Sequence, residues 1–478
     1  MLNYDVYFFI VSVIHITWKV FYWKFRSING PLTLPILGTS LDYLLYDYGK
    51  VEKNRLKKYG KTYGGFFSKF ATLITRDPEL AKIVTKDDFN TFSESNIFPT
   101  NDKIIKESFV LKKGESWKKG RNLMTPVFTR KKINEAFIQI EIAGKSYLKN
   151  IDQLIEEGKQ SEIDVKDLVK SYALDVIAKF VFALEINSFK EKNHPFVVNL
   201  KALTNSNGLR FLLALTLPKF LFDFLNISVF DPKSAEYFYK TTSSLIKQRY
   251  KDKKKYNDFL DFYFNALKEK NLDLNVNEVI SNCIVFFFAG METVALTVSL
   301  ILYNLATNPE WQDKLFEELK ETCKDKKITS DNLNESKLLD AIVKESLRVY
   351  PAANRLFRIV QKDCTLKNYK LKAGELVSIN VYGLHMDPDF WEEPEKFNPQ
   401  RFMEDNSKIN DYYMPFGDGP RFCIGKRLAL SEIKYFVANL MLKYKVYITD
   451  KTDCPPDFFK NENAFVLKKL YLGFKKQN

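Results

Sequence analysis

The sequence predicts a mainly α fold with small β-sheets (α+β), on three observations. Helical patterns dominate the chain, and the strand-like runs between them are short and bounded by turn residues. One helical pattern, Asn277 to Thr307, is longer than any other. No Gly/Ser-rich or Pro-rich stretch divides the middle of the 478 residues, so one large domain is open alongside the two or three that length alone suggests.

The chain begins with an apolar, aromatic run, VYFFIVSVIHITWKVFYW from Val6 to Trp23, followed by Lys24 and Arg26. That positive flank predicts that the rest of the chain stays cytosolic. Charge placed first and small residues placed last would mark a cleaved signal; the run has neither. It is short beside the ~20 residues of a spanning helix. His15 and Lys19 interrupt it, and Lys19 is expected to snorkel to headgroups while Trp18, Tyr22 and Trp23 sit at the interface. Residues 1–23 are therefore read as a single-pass membrane anchor, with a buried core helix as the alternative. Pro31 and Pro35 stiffen residues 24–40 into a linker, and 41–478 form the main domain.

Within that domain, TRDPELAKIV reads as a strand end, a turn and a helix opened by Pro78 at its first position. The stretch Asn277–Thr307, ended by Asn308-Pro309, is apolar almost all round and predicts a central buried helix. Asn282, Glu292 and Asn304 along it speak against a second membrane span. KLKAGELVSI, Lys370 to Ile379, alternates around Gly374 as a hairpin does.

Lysine and arginine total 73 against 59 acidic residues, a net charge of +14. Such a chain can meet nucleic acid, an anionic membrane surface or an acidic protein. The basic residues are scattered and form no nucleic-acid motif, so no nucleic-acid partner is expected. Five cysteines without a CxxC pair fit neither a zinc ribbon nor a disulfide framework.

The sharpest chemical feature is Phe416-Gly-Asp-Gly-Pro-Arg-Phe-Cys-Ile-Gly425. A thiolate that ligates iron needs a tight approach loop. Gly419 and Gly425 give room for the backbone to turn or approach closely, and loop amides can point at the Cys423 sulfur. Arg421 can pair an anion, and Phe416 can shield the sulfur. This segment resembles the haem-binding loop of the cytochrome P-450 family. Glu345-Ser-Leu-Arg348 resembles the family's ExxR pair. Phe397-Asn-Pro-Gln-Arg401-Phe402 resembles the segment whose arginine joins that pair, with Gln400 where an acid is usual. Together Glu345, Arg348 and Arg401 imply a buried charge triad.

Ala289-Gly290-Met-Glu292-Thr293 resembles the oxygen-activating segment of the family's long helix. Gly290 is read as clearance for a ligand, and the Thr293 hydroxyl as a donor to the Ala289 carbonyl. Glu292 and Thr293 are the expected proton relay. Val294 stands where a second hydroxyl is frequent. Trp117-Lys-Lys-Gly-Arg121 resembles the helix that contacts haem propionates, and by family pattern Arg358 is a further propionate arginine. His385 is read as structural.

The resemblance covers the chain from about Pro31 onward and implies one domain holding haem b between the central helix and the Cys-loop helix. It implies a haem-thiolate monooxygenase that inserts one atom of O2 into a small apolar substrate. With no flavin or ferredoxin pattern in the chain, electrons are expected from NADPH-cytochrome P-450 reductase at the endoplasmic reticulum membrane. Lys112, Lys119, Arg427 and Lys434 are the expected basic docking face, and Phe286–Phe288, Ile97–Phe109 and Leu209–Leu217 the pocket walls. A peroxide-rearranging enzyme or a haem sensor would need neither Glu292 nor Thr293. A membrane interaction protein would bind no haem.

Overall fold

The structure is a computed structural model that describes residues 18–34, 37–97, 101–102, 105–156, 162–204, 210, 213–214, 216–217, 219–228, 230–251, 254–323, 328–404, 407–460 and 463–477. The central helix, Val276–Thr307, is opened by Asn275, whose side chain accepts from Glu278 N at 3.2 Å. It passes through one large core and packs against the helices Val165–Phe182, Lys426–Met441 and Lys337–Val349. Two of its polar side chains are bonded to the surrounding protein. The buried Asn282 Oδ1 accepts from Ser108 Oγ (3.0 Å) and Phe109 N (3.1 Å), and Asn304 Nδ2 donates to Ser346 Oγ at 3.2 Å. It is the helix, among the described residues, long and apolar enough to cross a membrane, and 67% of its most apolar window is buried in the domain.

The strands are β1 (Thr62–Phe67), β2 (Phe70–Thr75), β3 (Glu162–Asp164), β4 (Arg355–Ile359), β5 (Cys364–Leu366), β6 (Tyr369–Leu371), β7 (Leu376–Asn380), β8 (Tyr444–Tyr447), β9 (Phe458–Phe459), β10 (Val466–Leu467) and β11 (Tyr471–Lys476). They form a mixed four-stranded sheet in the order β1-β2-β7-β4, a three-stranded sheet β3-β11-β8, and the pairs β5-β6 and β9-β10. After β2, Asp77 caps a short helix by accepting from Glu79 N at 2.8 Å, with Pro78 at its first turn as expected.

Two expectations are corrected. Lys370–Ile379 is not a hairpin: β6 pairs with β5, while β7 lies parallel to β2 and antiparallel to β4. Gly374, at φ +87°, turns the chain from one sheet into another. Lys19 does not snorkel. It is 4% exposed, with its ammonium over the Phe66 ring and 3.5 Å from Ser68 O. Trp23 is buried beside it and donates from its indole to Gly65 O at 2.7 Å. Farther along, Gly64 N donates to Asn29 O at 2.9 Å and Ile28 is buried, so these residues lie against the β1–β2 edge. Residues 1–17, which carry most of the expected anchor, and Pro35 of the expected linker lie outside the described residues.

Candidate functional site

The Cys423 loop is closed by its own backbone. Cys423 N donates to Phe416 O at 2.8 Å and Phe422 N to Gly419 O at 3.0 Å. Gly419 is required twice over: its φ is +68°, and a Cβ there would stand 1.8 Å from Thr85 O. Gly425 is not required in that way. Its φ is −80°, and a Cβ there would meet nothing nearer than Cys423 Sγ at 4.0 Å, so the turn itself does not call for glycine at this position. The Cys423 thiol is crowded by protein on most sides and open to solvent on one. Burial pushes its pKa up, against the opposing pull of the Gly425 and Lys426 amides and of the Arg121 and Lys426 cations.

Beside the loop the structure gathers three arginines. The helix Gly114–Met124 presents Trp117 and Arg121 one turn apart. The Trp117 ring lies 4.0 Å from the Arg421 guanidinium, and Arg121 sits 4.7 Å over the Phe422 ring. Arg358, on β4, is 4% exposed; its Nη1 donates to Phe357 O at 2.9 Å while its Nε has no partner. Desolvation, with a neighbouring arginine adding to it, pushes Arg358 and Arg421 each down to about 10 and lowers Arg121 as well. Among the described residues, the carboxylate in an ion pair with this cluster is Glu94, 3.2 Å from Arg421 Nη2. Guanidiniums in excess, one with an idle buried N–H, next to an accessible thiol, fit a group that is both anionic and thiophilic. Haem b is such a group.

The central helix opens locally around Ala289. Phe288, Ala289 and Thr293 are exposed between buried turns, and Thr293 Oγ1 donates to Ala289 O at 2.7 Å, as its spacing predicts. A Cβ at Gly290 would meet Ile177 Cδ1 at 3.2 Å, so the glycine also eases the approach of the helix Val165–Phe182. Glu292 is ion-paired with Lys170 of that same helix. Of the expected pocket walls, Phe286 and Phe287 are buried among other aromatics, 5.1 Å from Phe259 and 5.2 Å from Phe196 respectively. Successive helix positions point about 100° apart, so only Phe288 faces the opening. Ile97 and Phe109 are core residues too, and much of 209–217 lies outside the described residues.

Glu345, Arg348 and Arg401 come together as expected. Arg348 Nε and Nη2 clamp Glu345 at 2.7 and 2.8 Å, both residues at 0% exposure, and Arg401 Nε stands 3.4 Å from Glu345 Oε1. Arg348 also donates to the carbonyls of His385 (2.8 Å), Pro394 (2.8 Å) and Lys396 (3.2 Å). His385 is structural: burial pushes its pKa down to about 3, and its Nε2 accepts from Met414 N at 3.0 Å.

The expected docking face is only half present. Lys119 and Arg427 are exposed. Lys434 is buried against Asp340 at 2.6 Å, and Lys112 precedes the Trp117 helix and pairs with Glu278 at 3.1 Å. Glu94 was missed by sequence reasoning, because it carries no motif.

The family model described as Cytochrome P450 matches residues 28–474. Cytochrome P450 3A6 of Oryctolagus cuniculus is 36% identical over 449 residues, covering 90% of this chain and 88% of its own. Cytochrome P450 3A41 of Mus musculus is 36% identical over 447 residues, with coverage of 90% and 88%. Lithocholate 6-beta-hydroxylase of Mesocricetus auratus is 33% identical over 464 residues, with coverage of 93% and 91%. The chain belongs to the cytochrome P450 family. It is a haem-thiolate monooxygenase acting on apolar organic substrates, with haem b, dioxygen and an electron-delivering reductase as the family's requirements.

Proposed function

We propose that Cys423 is the axial ligand of the haem iron and that Arg121, Arg358 and Arg421, with Trp117, hold the propionates. The observation that carries this is the accessible thiol beside three arginines, of which Arg421 is paired with a carboxylate and Arg358 keeps an idle buried N–H. Phe416, Ala289, Gly290 and Gly425 complete the cofactor's surroundings, and Glu345, Arg348 and Arg401 lock the core behind it. The bound haem supplies oxygen activation and insertion. The chain supplies the rest: loop amides aimed at the sulfur, arginines that orient the carboxylates, and the Thr293 hydroxyl as a positioned proton donor. Glu292, held by Lys170, is the second member of the relay. Replacing Cys423 with serine abolishes the red-shifted Soret band of the reduced carbon-monoxide adduct; a band kept in the variant rejects the ligand assignment.

The redox partner in this reading is NADPH-cytochrome P-450 reductase, and the location the endoplasmic reticulum, with residues 1–23 as the anchor and the domain on the cytosolic side. Exposed Trp18, Phe21 and Phe25 support a membrane-facing surface, as do Phe220 and Phe224 on the other side of the β1–β2 turn. Both stretches meet that turn, through Lys19 to Ser68 O and through Lys69 Nζ to Leu217 O at 2.6 Å. Because Lys19 and Trp23 belong to the domain's packing, the deletion to make is residues 1–17. The truncated protein keeps haem and leaves the membrane fraction at high salt; full retention there places the attachment elsewhere. The hamster relative is named for lithocholate, and a sterol-sized apolar substrate is the class carried over to this chain. Spectral titration with lithocholate against a linear fatty acid decides it.

A further inference from the structure

We propose that Glu94 is a positioning residue for the haem: it sets the elements of the propionate site against one another and adjusts the cluster's charge to that of a dianion. The inference rests on the reading of Arg121, Arg358 and Arg421 as the propionate site.

Glu94 is 4% exposed and touches all three elements that carry the arginines. Its Oε1 accepts from Gly114 N at 2.7 Å, the first residue of the helix bearing Trp117 and Arg121. Its Oε2 stands 3.2 Å from Arg421 Nη2 in the cysteine loop. Its backbone carbonyl accepts from Ile359 N at 2.7 Å, next to Arg358 on β4. The preceding residue, Ser93, takes the Arg421 Nε–H on its carbonyl. One short stretch therefore fixes the helix start, the loop and the strand in a single arrangement.

The charge follows the same logic. Three guanidiniums against one carboxylate leave an excess of two positive charges, and haem b carries two propionates. Asp418, the acid that acts on Arg358, is taken by Lys86 at 2.7 Å and leaves that balance unchanged. A fixed negative charge at the cofactor's edge also disfavours addition of an electron, so Glu94 holds the reduction potential down.

The test uses the full chain and two measurements besides turnover: the rate at which haem passes to a haem-free globin, and the ferric–ferrous midpoint potential. Glu94→Gln keeps an acceptor for Gly114 N and removes the charge, while Glu94→Asp keeps the charge and shortens the reach. Arg421→Met strips Glu94 of its cation and leaves a buried carboxylate facing the propionates, so haem loss accelerates. Adding Glu94→Gln to Arg421→Met then restores retention by about tenfold, as directly coupled residues do. Glu94→Gln alone raises the potential, and Glu94→Asp leaves it at the wild-type value. A double variant as leaky as Arg421→Met, or equal shifts of potential in Gln and Asp variants, reduces Glu94 to a helix cap and overturns the proposal. If Arg421→Met itself holds haem as the wild type does, the propionate reading of Arg421 fails instead, and the inference with it.

Discussion

The protein holds two arginine clusters, one around Arg348 and one beside Cys423, and they differ in how completely their central guanidiniums are satisfied. In the knot around Arg348, a bidentate carboxylate and three carbonyls take up all of that guanidinium's hydrogens, and nothing of the side chain is exposed; only at the rim does Arg401 Nε, 3.4 Å from Glu345, go without a hydrogen bond. In the cluster beside Cys423, the one carboxylate in an ion pair, among the described residues, is held by Arg421, Arg358 Nε is idle, and desolvation pushes the pKa values of all three arginines down. A closed network rigidifies a fold, whereas an open one stores binding capacity. The contrast separates the residues that hold the protein together from those that hold what it binds.

The largest effect that can break the comparison is at Arg348. Arg348→Leu takes the bidentate partner from the buried Glu345, leaving it only Arg401 and Asn398 N, and strands three carbonyls, a loss of about 3–5 kcal/mol. That consumes much of a typical domain's stability, so soluble expression and the cooperative melt disappear together. A variant that melts like the wild type removes the knot from the stability argument. Arg358→Leu is the counterpart. The haem-free protein melts at the wild-type temperature or above, because an unpaired buried N–H is gone, while haem passes to a globin acceptor faster. A drop in the haem-free melt would put Arg358 with the structural cluster. Smallest in the fold and plain in the chemistry is Thr293→Ala, which belongs to neither cluster. It gives up one hydrogen bond, about 1 kcal/mol. Positioned proton donors contribute ~10²–10⁴-fold, so NADPH consumption is diverted from product into hydrogen peroxide. Wild-type coupling in that variant leaves Glu292 to serve the relay.

Legibility followed the range of the interactions. The cysteine loop, the Thr293–Ala289 bond, the Asp77–Pro78 helix start and the Glu345–Arg348 clamp are all made by near neighbours, and each could be read from spacing. Glu94 could not. It is an ordinary acid in TFSESNIF, and Arg421, its cation, is 327 residues away. The KLKAGELVSI stretch alternates as a hairpin does, but which strand pairs with which is decided by chain that the local pattern does not contain. Arg427 and Lys434 share a spacing, yet Asp340 draws Lys434 into the protein. The anchor's last turn misled for the same reason: Lys19 and Trp23 look amphipathic in isolation and find their partners at Gly65, Phe66 and Ser68.

The knot around Arg348 also orders events during synthesis. Its carbonyl partners come from residues 385, 394 and 396 and its second cation from Arg401, all C-terminal to the helix that carries it. A ribosome-bound chain that ends before these residues cannot bury that helix without leaving Arg348 hydrogens unmet. The core therefore closes only once the chain past Arg401 has emerged, shortly before the cysteine loop that starts at Phe416. Seating of the haem falls in the last stage of translation or after it, and chains truncated upstream of Arg401 go to the quality-control machinery rather than accumulate as folded fragments.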